Sequence, residues 1–587
     1  MNKRPIRSLL ALLAASTIAL APAATPPARA ATDTGAPDIA EMVRSTSLAG
    51  SFLAAQIATK QNDDDAASSY YERSLELDPD NTELKRLYFL ALTATGQIAK
   101  AAEIARSVPS TAEQSAVVRM VMAVDAMKKK SWAKVAEILK SPGRTDLDML
   151  IEKTVLAWSV FGAGDAKQAI EIASTIEGPD WALVVRDYHA GLIAAASGDD
   201  KQAESFLASA TGNEAAAAVL SETFARAMEA LARSQARMGE IDKAKETVER
   251  GGRLFSNHAP FDALKADLDA SRPLAPLVAS AQQGAGEIFF NIGTAISRQG
   301  GTPFAQGYLQ LADYLSPGSD VVIMALAGVY EAQKRQERAN AYYERVPPES
   351  AYHRRAELEY ALNLNDLKRV DESKAKLRAL VAEDPDDILT YMTLGGLLSQ
   401  HEEYEEASKV YHEAMARLGE PGPRDWNVFY RAAIAHERLK QWDQAEPLFR
   451  KALELSPRQA DVLNYLGYSW IDMGRNLEEG LDMIRKAVDL SPRKGYIIDS
   501  LGWAYYRLGR YDEAVTELER AVQMLPQDPT LNDHLGDAYW KTGRKLEATF
   551  QWNHALANEP QPGDEAKIRE KLEKGLVEDV KPTLSAN

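Results

Sequence analysis

Cysteine is absent from all 587 residues. Disulfides, thiolate zinc sites, cysteine nucleophiles and a lipidated N-terminal cysteine are therefore excluded. The eight histidines are scattered. His401 and His412 lie eleven residues apart, and His436, His534 and His554 fall at unrelated positions. No Gly-x-Ser-x-Gly elbow, Walker loop or His-Glu-x-x-His pair occurs. Gly284-Ala285-Gly286 follows no strand pattern and reads as a helix start or a turn. Asp63-Asp64-Asp65 lacks the alternating ligands and the glycine of a calcium loop. The run Glu402-Glu403-Tyr404-Glu405-Glu406 reads as a solvated helix face. These residues predict no catalysis, no cofactor and no metal. The chemistry left is recognition, for which the C-terminal third offers tyrosines and tryptophans with acids beside them. Tyrosine and tryptophan are favoured anchors of binding surfaces.

The elements that must position them repeat. From Asp425 to Pro560 one pattern occurs four times: a small residue, a large apolar residue four later, Ala three later, Pro five later. The copies are Ala445, Phe449, Ala452, Pro457; Gly480, Ile484, Ala487, Pro492; Ala514, Leu518, Ala521, Pro526; and Ala548, Trp552, Ala555, Pro560. Their prolines are 35, 34 and 34 residues apart. Ahead of three copies stands Leu-Gly with an aromatic three after the Gly: Leu466, Gly467, Trp470; Leu501, Gly502, Tyr505; Leu535, Gly536, Tyr539. Residues three and four apart share a helix face. The Gly admits a second helix closely, the Ala positions do the same from the other side, and the Pro ends it.

A 34-residue period with these residues resembles the tetratricopeptide family. The resemblance implies an all-α fold, a right-handed solenoid of roughly thirteen helical hairpins. It also implies that positions 2, 5, 9 and 12 of each first helix line a concave groove. In turn these are Asn427, Tyr430, Ile434, Glu437; Asp461, Asn464, Tyr468, Ile471; Tyr496, Asp499, Trp503, Tyr506; and Thr530, Asp533, Asp537, Trp540. Arg438, Arg507 and Lys541 follow position 12, on the rim. The expected protein-binding groove is therefore Tyr430, Ile434, Arg438, Asn464, Tyr468, Tyr496, Asp499, Trp503, Tyr506, Arg507, Asp533, Asp537, Trp540 and Lys541. Some grooves of the family bind a terminal carboxylate through basic residues. Here Tyr430 stands where a cation is wanted, and Asp499 and Asp533 would repel the ligand. A peptide with apolar side chains and some positive charge suits this set better. The other reading is that several of these aromatics finish the core.

The segments Leu463–Trp470, Asp499–Tyr506 and Asp533–Trp540 are similar to exported bacterial adaptors that scaffold carboxyl-terminal processing proteases. Those adaptors are commonly lipoproteins, and without cysteine that feature does not carry over.

The rest of the chain follows the same plan. Lys3, Arg4 and Arg7, the apolar run Leu9–Leu20 and Ala28-Arg29-Ala30 read as a cleavable signal peptide, residues 1–30, which predicts export, and the resemblance to exported bacterial proteins implies a periplasmic location. Its four cations are unopposed by acids, so their loss takes the formal charge from −17 to −21. Such a surface repels nucleic acid. A lead-in, 31–47, precedes an N-terminal array of degenerate copies, 48–259. Pro260 to Pro276 breaks the period, so 260–285 reads as a junction between two arrays that could hinge near Pro273. A central array, 286–421, consensus-like repeats, 422–562, a capping helix, 563–578, and a disordered tail, 579–587, complete the chain. The expected function is a non-enzymatic scaffold binding proteins or peptides, in its sharper form an adaptor for an envelope protease. The alternative is a structural part of an envelope or polysaccharide-export assembly. Stable membrane insertion after signal cleavage is not expected, and homo-oligomers are open.

Overall fold

The computed structural model describes residues 47–108, 114–140, 145–255 and 258–576. The expected signal peptide, nearly all of the lead-in and the tail lie outside the described residues. Every regular element among the described residues is a helix. No described helix is long and apolar enough to cross a membrane. The chain forms two compact units, the first ending at Glu152 and the second beginning at Lys153. The division thus falls inside the expected N-terminal array, not at 260–285.

In the first unit Leu48–Lys60 pairs with Asp64–Leu77, Thr82–Ala94 with Ile98–Ala105, and Gln114–Lys128 with Trp132–Ile138. The side chains of Ser47, Asp63 and Asn81 accept the first free N–H groups of the helices they precede. Asp63 therefore caps a helix. Ala67, Tyr71 and Ser74 are buried, and the Tyr71 hydroxyl accepts a hydrogen bond from Gln56 Nε2 at 2.8 Å.

In the second unit the four C-terminal repeats show why the period is 34. Their first helices are Trp426–Arg438, Ala460–Asp472, Gly495–Arg507 and Pro529–Lys541. Their second helices are Trp442–Leu455, Leu477–Leu490, Tyr511–Met524 and Lys545–Ala557. Phe449, Ile484, Leu518 and Trp552, one per second helix, are completely buried. Ile484, Leu518 and Trp552 reach the first helix where the Leu-Gly pair stands. A Cβ on Gly502 would lie 2.5 Å from Leu518, and one on Gly467 would lie 2.7 Å from the Gly480 carbonyl oxygen. Lys440, Gly474, Gly509 and Gly543 take the left-handed backbone between the two helices. The second of these turns holds one extra residue, Asn476, at φ +43°. That insertion makes one proline interval 35 instead of 34.

Residues 260–285 carry structure of their own. Helix Ala259–Asp269 lies against the preceding hairpin, burying Phe261, Leu264 and Leu268 with Phe224, Met228 and Val248. Helix Ala281–Arg298 begins soon after. Gly284 sits in its first turn, where a Cβ would collide with the Trp158 ring. Tyr188 and Arg226 both bond Glu287. Side chains from before and after Pro273 are thus tied together by buried contacts.

Candidate protein-binding face

Successive first helices of the C-terminal repeats touch one another, and their side chains form a ladder. Tyr465 donates its hydroxyl to Glu437 at 2.8 Å, and Tyr496 donates to Asp461 at 2.6 Å. Lys494 reaches Asp461 at 3.0 Å, and Arg507 reaches Asp472 at 2.7 Å. His534 Nδ1 lies 3.0 Å from Asp499. Lys571, from the last helix Pro562–Lys574, pairs with both Asp533 and Asp537 at 2.8 Å. The residues of the expected groove are carried by these four first helices.

Within that row the expected residues divide by exposure. Tyr496 is 44% exposed. Tyr468, Trp503 and Tyr506 are half-buried. Trp503 stacks on Tyr506 at 4.7 Å and on His534 at 4.0 Å between ring centroids. Burial alone would lower the His534 pKa, but the Asp499 charge and hydrogen bond outweigh it and raise it. A protonated imidazole against an indole face is a favourable cation–π pair. Burial pushes the Tyr468 hydroxyl up to about 12.

Other expected residues are occupied by the protein itself. Tyr430 packs among Trp426, Phe449 and Tyr465. It therefore finishes the core, as does half-buried Ile434 beside it. Asp499 is buried and held by His534, so it is no open anionic contact. Asp533 and Asp537 share the one cation Lys571, and Asp537 also accepts from Trp552 Nε1 at 3.0 Å. Burial pushes the Asp537 carboxyl up to about 6, against the pull of Lys571. Gly575, after the last helix, sits so close to Trp540 that a Cβ would collide with the ring. The last stretch of the expected groove is thus closed by the C-terminal helix. Arg438 is exposed, with Nε 3.8 Å from Glu437, and Lys541 is half-buried. Asn464 is half-buried, and its Oδ1 is buried without a partner. The attraction expected for a positively charged peptide is therefore weaker than the acid count implies, because the acids already have cationic partners.

Comparison with known proteins bears on what this ladder belongs to. Models described as tetratricopeptide repeat match residues 58–124 and 426–459, and one described as TPR repeat matches 502–543. The chain is a tetratricopeptide repeat protein. It is 28% identical over 166 residues to a TPR repeat-containing protein of Pseudomonas aeruginosa, a match covering 28% of this chain and 27% of that protein's length. Among solved structures it is similar to an APC/C Cut9–Hcn1 hetero-tetramer chain, at 14% identity and a TM-score of 0.38. That match covers 92% of this chain and 98% of the other. It is also similar to a tetratricopeptide repeat protein from Parabacteroides merdae, at 14% identity, a TM-score of 0.33 and coverage of 49% and 97%.

Two parts of this tetratricopeptide face escaped the position rule. Tyr465 and His534 each stand at position 6 of a first helix, a position outside the 2, 5, 9, 12 set. Position 6 points to the preceding repeat, where it meets Glu437 in one case and Asp499 with Trp503 in the other. Position 6 reads Arg431, Tyr465, Ser500 and His534 across the four repeats, so no recurring residue type marks it. Lys571 was hidden because the capping helix carries no repeat motif. Two histidines read as unrelated also meet: His412 and His436 approach Nε2 to Nε2 at 2.8 Å. His436 Nδ1 lies 2.8 Å from Gln441 Oε1, so it donates there and accepts from His412 at Nε2. Among the described residues no group of three or more His, Asp or Glu is placed to hold a metal ion.

Proposed function

We propose that this protein is a non-enzymatic periplasmic scaffold that holds a protein or peptide on the shared face of its first helices Ala460–Asp472 and Gly495–Arg507. In its sharper form the scaffold delivers substrates to an envelope protease. The observation that carries the proposal is a contrast in burial. Phe449 and Trp552, on second helices, are completely buried, whereas Tyr468, Tyr496, Trp503 and Tyr506, on successive first helices, keep part of their surface in solvent. Large aromatics left half-open in a row offer contact area at small conformational cost. The basic, apolar segment at residues 1–30 supports export. The acids of the face are paired internally, so its partner is held chiefly through apolar and aromatic contact, with Tyr496 at the centre.

The test is a crosslinked pull-down of the chain from Ala31 onward, from periplasmic extract, beside Trp503→Ala and Tyr496→Ala. A protease captured by wild type and lost from both variants, with melting temperatures little changed, supports the adaptor. An outer-membrane export component instead supports the structural assembly. Equal capture by all three proteins refutes binding on this face.

A further inference from the structure

Each second helix of the C-terminal repeats leaves one stripe largely in solvent. The stripe runs through the residues two before, two after, five after and nine after the small residue of the repeat pattern. Steps of four, three and four keep these residues on one face of the helix. Three of the four stripes are ionic. Trp442–Leu455 carries Asp443 and Arg450, Leu477–Leu490 carries Glu478, Asp482 and Arg485, and Tyr511–Met524 carries Asp512 and Glu519. The last stripe, on Lys545–Ala557, is Leu546, Phe550, Asn553 and Ala557, with no ionisable group. Leu546 is 68% exposed and Phe550 64%, more than any other large apolar side chain among the described residues.

The groups beside this stripe restrict what can cover it. Glu547 pairs with Arg544 at 3.1 Å, Lys545 lies over the Trp540 ring at 5.0 Å, and His554 Nδ1 is 3.1 Å from Asn532 Oδ1. Asn553 Nδ2 donates to the Thr549 carbonyl at 2.7 Å. These polar groups are engaged within the chain, so the stripe offers apolar contact and no charge to select an ionic partner. A chain of formal charge −17 repels its own copies, and close contact between copies is least opposed where no charge stands. The stripe also fits its own reverse. Its four-three-four spacing is that of a coiled-coil seam and reads the same in both directions. Laid antiparallel on a copy of itself, it sets Leu546 opposite Ala557 and Phe550 opposite Asn553, large against small each time.

We propose that this stripe is the contact between two copies of the chain, packed antiparallel through Lys545–Ala557 about a two-fold axis. One helix face is small beside the ~800 Å² per partner of a standard interface. The dimer is therefore reversible and forms as concentration rises. The stripe lies on a second helix and the proposed protein-binding face on first helices, so the two proposals succeed or fail separately.

The experiment is light scattering of the chain from Ala31 onward over a range of concentrations. Wild type passes from the mass of one chain to that of two. Leu546→Asp combined with Phe550→Thr, which places there the residues of the preceding repeat, raises the concentration of half-dimerisation at least tenfold. Both side chains stand mostly in solvent, so the variant keeps its helical melting profile. Should the double variant not fold, Phe550→Gln alone is read in the same way. The absence of cysteine allows the pairing direction to be tested as well. Leu546→Cys mixed with Ala557→Cys gives a disulfide-linked pair on oxidation, and neither variant does so alone. A wild type that remains a single chain throughout, a dimer indifferent to Leu546 and Phe550, or linkage of either variant alone but not of the mixture overturns the proposal.

Discussion

Gly395 and Gly396 are adjacent in helix Ile388–Gln400, and the same substitution at each should have opposite effects. A Cβ on Gly395 would lie 2.5 Å from Tyr411 Cε1 and 2.6 Å from its Cζ. Tyr411 is 1% exposed, so its ring has nowhere to retreat. A Cβ on Gly396 meets nothing within 4 Å. Overpacking a core costs about 1–3 kcal/mol, and contact with a confined ring belongs near the upper end. Replacing a mid-helix Gly by Ala returns about 1 kcal/mol of helix propensity. Gly395→Ala should therefore destabilise locally by about 2 kcal/mol, and Gly396→Ala should stabilise by about 1 kcal/mol. A long array need not unfold in one step. The measurement is accordingly amide hydrogen exchange in Ile388–Gln400 and Tyr404–Arg417, not a single melting curve. About 2 kcal/mol corresponds to roughly 30-fold faster exchange, and about 1 kcal/mol to roughly fivefold slower exchange. If Gly395→Ala leaves protection unchanged or raises it, close approach at Tyr411 is not why the Leu-Gly position carries glycine.

The C-terminal helix should depend on Lys571. Lys571→Met leaves Asp533 and Asp537 without their cation and should cost about 3 kcal/mol near neutral pH, read as faster exchange over Pro562–Lys574 and a shift in Trp540 fluorescence. The folded Asp537 pKa is already raised with Lys571 present, and removing that cation raises it further, so the folded variant takes up a proton before the unfolded chain does and acidification from neutral pH should restore part of the loss. His534 runs the other way from a simple buried histidine. Its raised pKa means that its contribution is full below the unfolded value of about 6.5 and is lost as pH rises through the folded one. In Asp499→Asn burial should dominate, and an NMR titration of His534 should move below that of wild type; an unmoved titration would deny the pair its role.

Much of the fold was readable because each repeat must solve one packing problem with one set of residue types. Phe449, Ile484, Leu518 and Trp552 vary in shape but all need a gap opposite, so the glycine or alanine facing them recurs at a fixed distance. Periodicity carries that information. It carries little about which polar groups of the shared face remain open. Asp499, Asp533 and Asp537 looked like invitations to a basic partner, yet their cations are His534 and Lys571, residues outside the expected set. Tyr430 and Trp503 occupy comparable helix positions, yet one is wedged among Trp426, Phe449 and Tyr465 while the other stacks beside solvent. Part of the difference comes from Phe449, Tyr465 and His534, neighbours 19–35 residues away, and no local pattern contains them.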